Sequence, residues 1–240
     1  MPLDFEELDC AWTRFGELVL RKRRVRSMDD ATVYEVKLGG DFLMSSVVND
    51  SEIALTELGL AALPADLSGR DVVVGGLGLG YTAVTALDDP TVGSLLVVEA
   101  LPEVLSWHER GLVPEGPRLT GDPRCRLVQG DFFALARGDE GLDPEQPGRR
   151  FHAILVDIDH SPGGLLHPSH EDLYTEDGLR RLTRWLHPGG VFALWSFEPP
   201  EDAVTERLRA VFAGAEAHAV EFHNPLLDRD DLNTIYVATT

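Results

Sequence analysis

The sequence predicts an α/β fold, a mostly parallel sheet with helices between its strands, preceded by a small β module. Three observations carry this. Residues 71 to 83 read Asp-Val-Val-Val-Gly-Gly-Leu-Gly-Leu-Gly-Tyr-Thr-Ala, branched apolar residues stopped by four glycines within six positions (Gly75, Gly76, Gly78, Gly80) and followed by a helix start. That is the pattern of a central strand buried on both faces, running into a turn whose backbone must lie close against something. Next, Ser94 to Glu99 is a second apolar strand that ends in an acid nineteen residues beyond Gly80. Finally, two further strands follow, one from Arg126 that ends in Gly130-Asp131 and one from Phe151 that ends in Asp157. Strands that alternate with helix-length segments suit a parallel sheet, which gathers its ligands at the carboxyl ends of its strands.

In chain order, residues 1–48 read as the β module, with strands at Glu17–Arg21, Thr32–Leu38 and Asp41–Met44, the last two joined by a Gly39-Gly40 hairpin turn. The basic run Arg21-Lys22-Arg23-Arg24 suits a solvated strand end that guards an edge, with an anion or RNA site as the sharper alternative. Residues 49–240 form the main domain. Ser51 to Leu63 carries apolar residues at Ile53, Ala54, Leu55, Leu58, Leu60 and Ala61, a helix that Asn49, Asp50 or Ser51 can cap. Helices follow over Tyr81–Leu87 and Pro102–Leu112, and Pro114 to Pro123 reads as a loop. Gly138 to Arg150 is expected to be an exposed polar excursion without function. Glu176–Leu186 reads as an amphipathic helix stopped by His187-Pro-Gly-Gly190, Val191–Ser196 as a fifth strand and Ala203–Phe212 as a helix. Ala217–Phe222 and Thr234–Thr239 read as closing antiparallel strands.

With 240 residues, 43% of them hydrophobic, the chain can bury a full core as one main domain with a small appendage. Its apolar runs are of strand length and its N-terminus is acidic, so no membrane span or secretory signal is expected and the protein reads as cytoplasmic. Two cysteines, Cys10 and Cys125, offer neither a disulfide framework nor a zinc pattern. A formal charge of −20 argues against binding a nucleic acid backbone and favours a cationic or neutral small-molecule partner.

The turn itself favours a nucleotide, because free N–H groups that open a helix attract polar or anionic ligand groups. A dinucleotide is disfavoured: after Gly76 and Gly78 the third glycine position of G-x-G-x-x-G is Tyr81. Glu99 stands where an acid would close on ribose hydroxyls. The competing account is a tight turn that only packs a helix on a sheet.

Taken together, Gly75-Gly-Leu-Gly-Leu-Gly80, Val97-Val-Glu99, Gly130-Asp131, Asp157-Ile-Asp159, and Leu173-Tyr174 leading to His187-Pro-Gly-Gly190 resemble the class I S-adenosylmethionine-dependent methyltransferase superfamily, and within it the spermidine synthase-like branch, over roughly residues 40 to 200. The resemblance implies a Rossmann-like methyltransferase fold, with a mostly parallel seven-stranded sheet and an antiparallel last strand. It also implies S-adenosylmethionine or its decarboxylated form as cofactor. Gly75, Gly76, Gly78, Gly80, Glu99, Gly130, Asp131 and Asp157 would hold it, with Asp131 accepting from the adenine amine. Aminopropyltransferases assemble through an N-terminal β module, so a homodimer or larger homo-oligomer is implied.

Residues 156 to 170 lie beyond the fourth strand and read as a gate over the pocket. Alkyl transfer from a sulfonium needs an in-line approach, a dry pocket and a neutral nucleophile, whose proton a carboxylate can take. Asp157 is the first candidate and Asp159 the second; both would share a face if the strand continued that far. His160, His167 and His170 share the loop, where one histidine could act as general base; their spacing matches no metal-ligand pattern, so no metal is expected.

The branch's polyamine synthases carry a Gly-Gly-Gly-Asp-Gly loop, whose aspartate holds the donor's ammonium; Gly78 stands in that place here. Their paired gate acids appear as Asp157 and a displaced Asp159, and their Tyr-His-Glu motif keeps only its acid, Glu52. The expectation is therefore methyl transfer to a small-molecule acceptor. Aminopropyl transfer is the alternative, and a non-catalytic nucleotide-binding scaffold is a third reading.

Overall fold

The computed structural model describes residues 5–158 and 161–240. Four antiparallel strands in sequential order open the chain: β1 (Phe5–Thr13), β2 (Gly16–Val25), β3 (Ala31–Leu38) and β4 (Asp41–Ser45). The sequence reading misses β1, because its acidic, alternating residues pair with the basic residues of β2 only once the hairpin closes: Glu7 lies opposite Arg21 and Glu6 is ion-paired with Lys22 at 3.0 Å. The basic run guards no edge. Arg21 and Arg23 both donate to the buried Glu35 carboxylate of β3, at 2.8 and 2.7 Å.

Helix α1 (Asp50–Ala61) leads into the main sheet, formed by β5 (Arg70–Gly75), β6 (Val92–Glu99), β7 (Cys125–Gln129), β8 (Phe151–Val156), β9 (Leu186–Ser196), β10 (Gly214–Asn224) and β11 (Arg229–Thr239). Their spatial order is β10-β11-β9-β8-β5-β6-β7. Strands β5 to β9 are parallel, and β11 runs antiparallel to both its neighbours, β9 and β10. The connections are α2 (Tyr81–Asp88), α3 (Pro102–Glu109), α4 (Gly116–Gly121), α5 (Phe132–Arg137), α6 (Glu176–Thr183) and α7 (Asp202–Arg209).

Side chains alternate along each strand, so two apolar layers form. Val72, Val74, Leu95, Val97, Leu155 and Ala193 pack towards α1, α2 and the N-terminal sheet, whereas Val73, Leu96, Val98, Ile154, Phe192 and Tyr236 pack towards α5 and α6. Helix α1 lies so close to the sheet that a Cβ at Gly59 would sit 2.7 Å from Leu155 Cδ2. Among the described residues no helix is long and apolar enough to cross a membrane.

Three local expectations are corrected. His187-Pro-Gly-Gly190 does not end a helix; it bulges out of β9 between Leu186, opposite Phe151, and Val191, opposite Ala153. The turn residues around Pro117 form the short helix α4 rather than a loop. The 138–150 excursion is not simply exposed, because Leu142 and Asp143 are fully buried. Asp143 binds Arg126 and, at 2.9 Å, Arg149, which also holds Asp71 at 2.9 Å.

Candidate active site

The parallel strands end in a row. From β5 the chain turns through Gly76 and Gly78, at φ 93° and 49°, into α2. The protein's own chain already requires Gly76 and crowds Gly78. A Cβ at Gly76 would run into the Asp157 carbonyl oxygen, and one at Gly78 would sit 2.8 Å from Met44 Sδ. The loop therefore has a structural reason for its glycines, and it also lines two cavities.

The outer cavity encloses about 760 Å³, its open mouth included, and is bordered by Gly76, Leu77, Glu99, Asp131 and Asp157. Glu99, at the end of β6, accepts the Leu77 N–H at 2.9 Å and the Leu101 N–H at 2.8 Å, which ties the glycine loop to the neighbouring strand. Burial raises its pKa against the pull of these N–H groups. Asp131 caps α5 by accepting the Ala134 N–H at 3.0 Å, and its second oxygen pairs with Arg14 at 3.1 Å. Burial is the largest influence on Asp131 and raises its pKa, but the Ala134 N–H and the Arg14 guanidinium outweigh it and hold the carboxyl below the usual range.

The N-terminal sheet is a wall of this cavity rather than an appendage: Arg14, Leu18, Val36 and Met44 all line it. Arg14 and Met44 escape sequence reasoning because nothing local marks them; the one available hint is Arg14-Phe15 in a tight β1–β2 turn. On the far side His170 stacks on Phe133, centroids 3.8 Å apart, which packs the segment after β8 against α5. His167 instead caps the 3₁₀ turn Pro168–Tyr174. A further histidine, the fully buried His108 of α3, donates through Nε2 to the Gly78 carbonyl at 2.9 Å, and burial holds its pKa down.

Across the glycine loop lies an inner chamber of about 570 Å³ bordered by Glu52, Gly78, Tyr81, Asp157 and Trp195. Asp157 lines both spaces and accepts the Thr82 hydroxyl at 2.7 Å. Burial pushes its pKa up to about 6, the Thr82 bond opposing. Strand β8 ends at Val156, so the strand on which a shared face for Asp157 and Asp159 is conditional does not reach Asp157; Asp159 and His160 themselves lie outside the described residues. The partner that the structure gives Asp157 is Glu52, in the first turn of α1. Burial first and the Asp157 charge second push Glu52 up to about 8. Two carboxylates that line one chamber cannot both ionise cheaply, so near neutral pH the pair keeps one proton. Among the described residues, no Lys, Arg or His lines the inner chamber.

One metal-like cluster is present among the described residues, Asp71, His152 and His187 at the opposite end of the sheet. Its chemistry does not suit a metal. His152 Nδ1 already accepts the Asp71 N–H at 2.9 Å, which leaves the hydrogen on Nε2, and Asp71 is neutralised by Arg149.

No protein-family model matches the chain. Among solved structures, the spermidine synthase from Thermotoga maritima aligns with a TM-score of 0.72 at 16% identity, over 97% of this chain and 72% of that one. A spermidine synthase in complex with the transition-state analogue AdoDATO gives 0.72 at 15%, over 97% and 73%. Human methyltransferase-like protein 13 in complex with SAH gives 0.56 at 19%, over 78% and 81%. The chain thus has a methyltransferase-like fold in its spermidine synthase-like form, N-terminal sheet included.

Proposed function

We propose that the protein is an S-adenosylmethionine-dependent transferase that methylates a small-molecule amine. The observation that carries this reading is the place of Asp157, on the wall between the outer cavity and the acid-lined inner chamber. The donor's adenosyl group would occupy the outer cavity, with Glu99 towards its ribose and Asp131 towards its adenine. The acceptor would enter the inner chamber as an ammonium. Asp157 takes one proton from it, the freed lone pair forms the N–C bond, and the C–S bond breaks with its electrons on sulfur. Methyl transfer is favoured by Met44, whose sulfur covers Gly78 and fills with an apolar group the place where the polyamine synthases carry their ammonium-holding aspartate.

One observation favours aminopropyl transfer as a second reading: a donor carboxylate in the inner chamber would find two acids and, among the described residues, no cationic side chain. Calorimetry with S-adenosylmethionine, its decarboxylated form and S-adenosylhomocysteine separates the two. The carboxylated ligands should bind more tightly; a preference for the decarboxylated donor reverses the ranking. If none binds at millimolar concentration, the chain is a scaffold rather than a transferase. The same reading keeps the N-terminal sheet as the surface for a homodimer, since Trp12 on its edge strand β1 is 80% exposed. A monomer in sedimentation analysis would remove that element.

A further inference from the structure

Tyr81 and Trp195 give the inner chamber aromatic walls, and the donor hydrogen of each goes to the protein itself. The Tyr81 hydroxyl of α2 donates to the Ser46 carbonyl at 3.4 Å, and the Trp195 indole N–H of β9 donates to the fully buried Ser51 hydroxyl at 2.9 Å. Ser51 is held in turn. Its oxygen also accepts the Asn233 amide N–H of β11 at 2.8 Å, and its hydrogen goes to Glu52 Oε2 at 2.9 Å. The Trp195 ring edge and the Glu52 carboxylate therefore share one hydroxyl and stand within two hydrogen-bond lengths of each other. Leu43, Met44, Leu79 and Ile158 make much of the remaining wall apolar.

We propose that the acceptor is a monoamine with an aromatic body, and that Trp195 is the specificity-determining residue that selects it. The assignment rests on reading the chamber as the acceptor site, and it names the class of amine that the site takes. An ammonium beside Glu52 and Asp157 meets the chamber's acids with one end of the molecule. Its body then lies along the Trp195 ring, which attracts the cation through its electron-rich face and packs against a second ring edge-on or offset. Because Ser51 already fixes the indole, little side-chain freedom is lost when the ligand arrives. A linear diamine gains less. Its far ammonium would rest against the apolar wall, and among the described residues no third carboxylate lines the chamber to receive it. A neutral alcohol with the same ring would keep the apolar contact and lose the charge.

Calorimetry of the whole chain, without donor, tests this with phenethylamine, putrescine and phenethyl alcohol. Phenethylamine should bind about tenfold or more tighter than either of the others, since putrescine lacks the ring and phenethyl alcohol the charge. Trp195→Ala should weaken phenethylamine by about tenfold and putrescine by less than about threefold, which closes the preference between them. A merely structural loss would weaken both alike. Trp195→Phe, which keeps a smaller ring that Ser51 no longer fixes, serves if Trp195→Ala does not fold, and should narrow the preference by about threefold. Putrescine bound as tightly as phenethylamine, phenethyl alcohol bound as tightly, no phenethylamine binding at millimolar concentration, or an unchanged preference in the variant that folds would each overturn the assignment. Donor binding is read separately. A chain that takes phenethylamine but no S-adenosyl ligand loses the transferase reading and keeps an amine site, whereas one that takes S-adenosylhomocysteine and prefers putrescine keeps the transferase and loses the aromatic monoamine.

Discussion

Glu99 and Asp131 border the outer cavity and Glu52 the inner chamber, with Asp157 on the wall between them, and the two pairs of carboxylates are used in opposite ways. Glu99 and Asp131 are committed to groups of fixed charge or fixed hydrogen: backbone N–H groups for Glu99, a helix N-terminus and an arginine for Asp131. Glu52 and Asp157 accept from the Ser51 and Thr82 hydroxyls, Glu52 also from a backbone N–H, and both are pushed upward towards neutral pH. The first pair is a frame suited to recognition. The second can exchange a proton at the pH of the cell, which a transfer to an amine requires.

Substitutions can break that contrast, the largest effect coming from the group assigned the proton. Asp157→Asn should lower turnover by about 10²-fold or more, with S-adenosylhomocysteine affinity unchanged by calorimetry. Unchanged turnover would remove Asp157 from the chemistry. Glu99→Ala should do the reverse, weakening S-adenosylhomocysteine binding by about 10- to 100-fold while turnover at saturation falls less. It also strands the Leu77 and Leu101 N–H groups, so denaturant unfolding should show a loss of about 2 kcal/mol.

Glu52→Gln sharpens the comparison through stability. A carboxyl whose pKa is raised on folding binds more protons in the native state, so its folded form weakens as pH climbs from the unfolded value near 4.5 towards about 8. The variant should therefore melt about 4 °C or more above the wild type at pH 8.5, and the gap should close below pH 4.5. A constant gap across that range would mean that Glu52 is ionised in the native state throughout. The smallest effect belongs to Arg14, whose side chain is 54% exposed. Arg14→Ala frees one Asp131 oxygen and should tighten S-adenosylhomocysteine binding by no more than about fivefold, less in high salt. Weaker binding would show instead that Arg14 itself touches the ligand.

What could be read without coordinates was local. The run from Asp71 to Glu99 declares strand, turn, helix and strand because apolar branching, glycine and a terminal acid act over a few residues. Asp131 and Asp157 follow, since in a parallel sheet a residue just past a strand end lands at the ligand edge. The acidic strand β1, in contrast, has no meaning until it meets the basic β2, and the bulge at His187–Gly190 looks like a helix stop until Phe151 fixes the register.

The sequence by itself determined the order of the elements, and with it a Rossmann-like sheet whose carboxyl edge carries Gly76, Gly78, Glu99, Asp131 and Asp157. Tertiary structure alone decided who meets whom: Met44 over Gly78, Arg14 on Asp131, and Glu52 brought to Asp157 from the far end of the domain. Periodicity and capping act along the chain, within a turn or two, whereas a carboxylate's proton affinity depends on charges and solvent within a few ångströms in space. No spacing in the sequence encodes that distance.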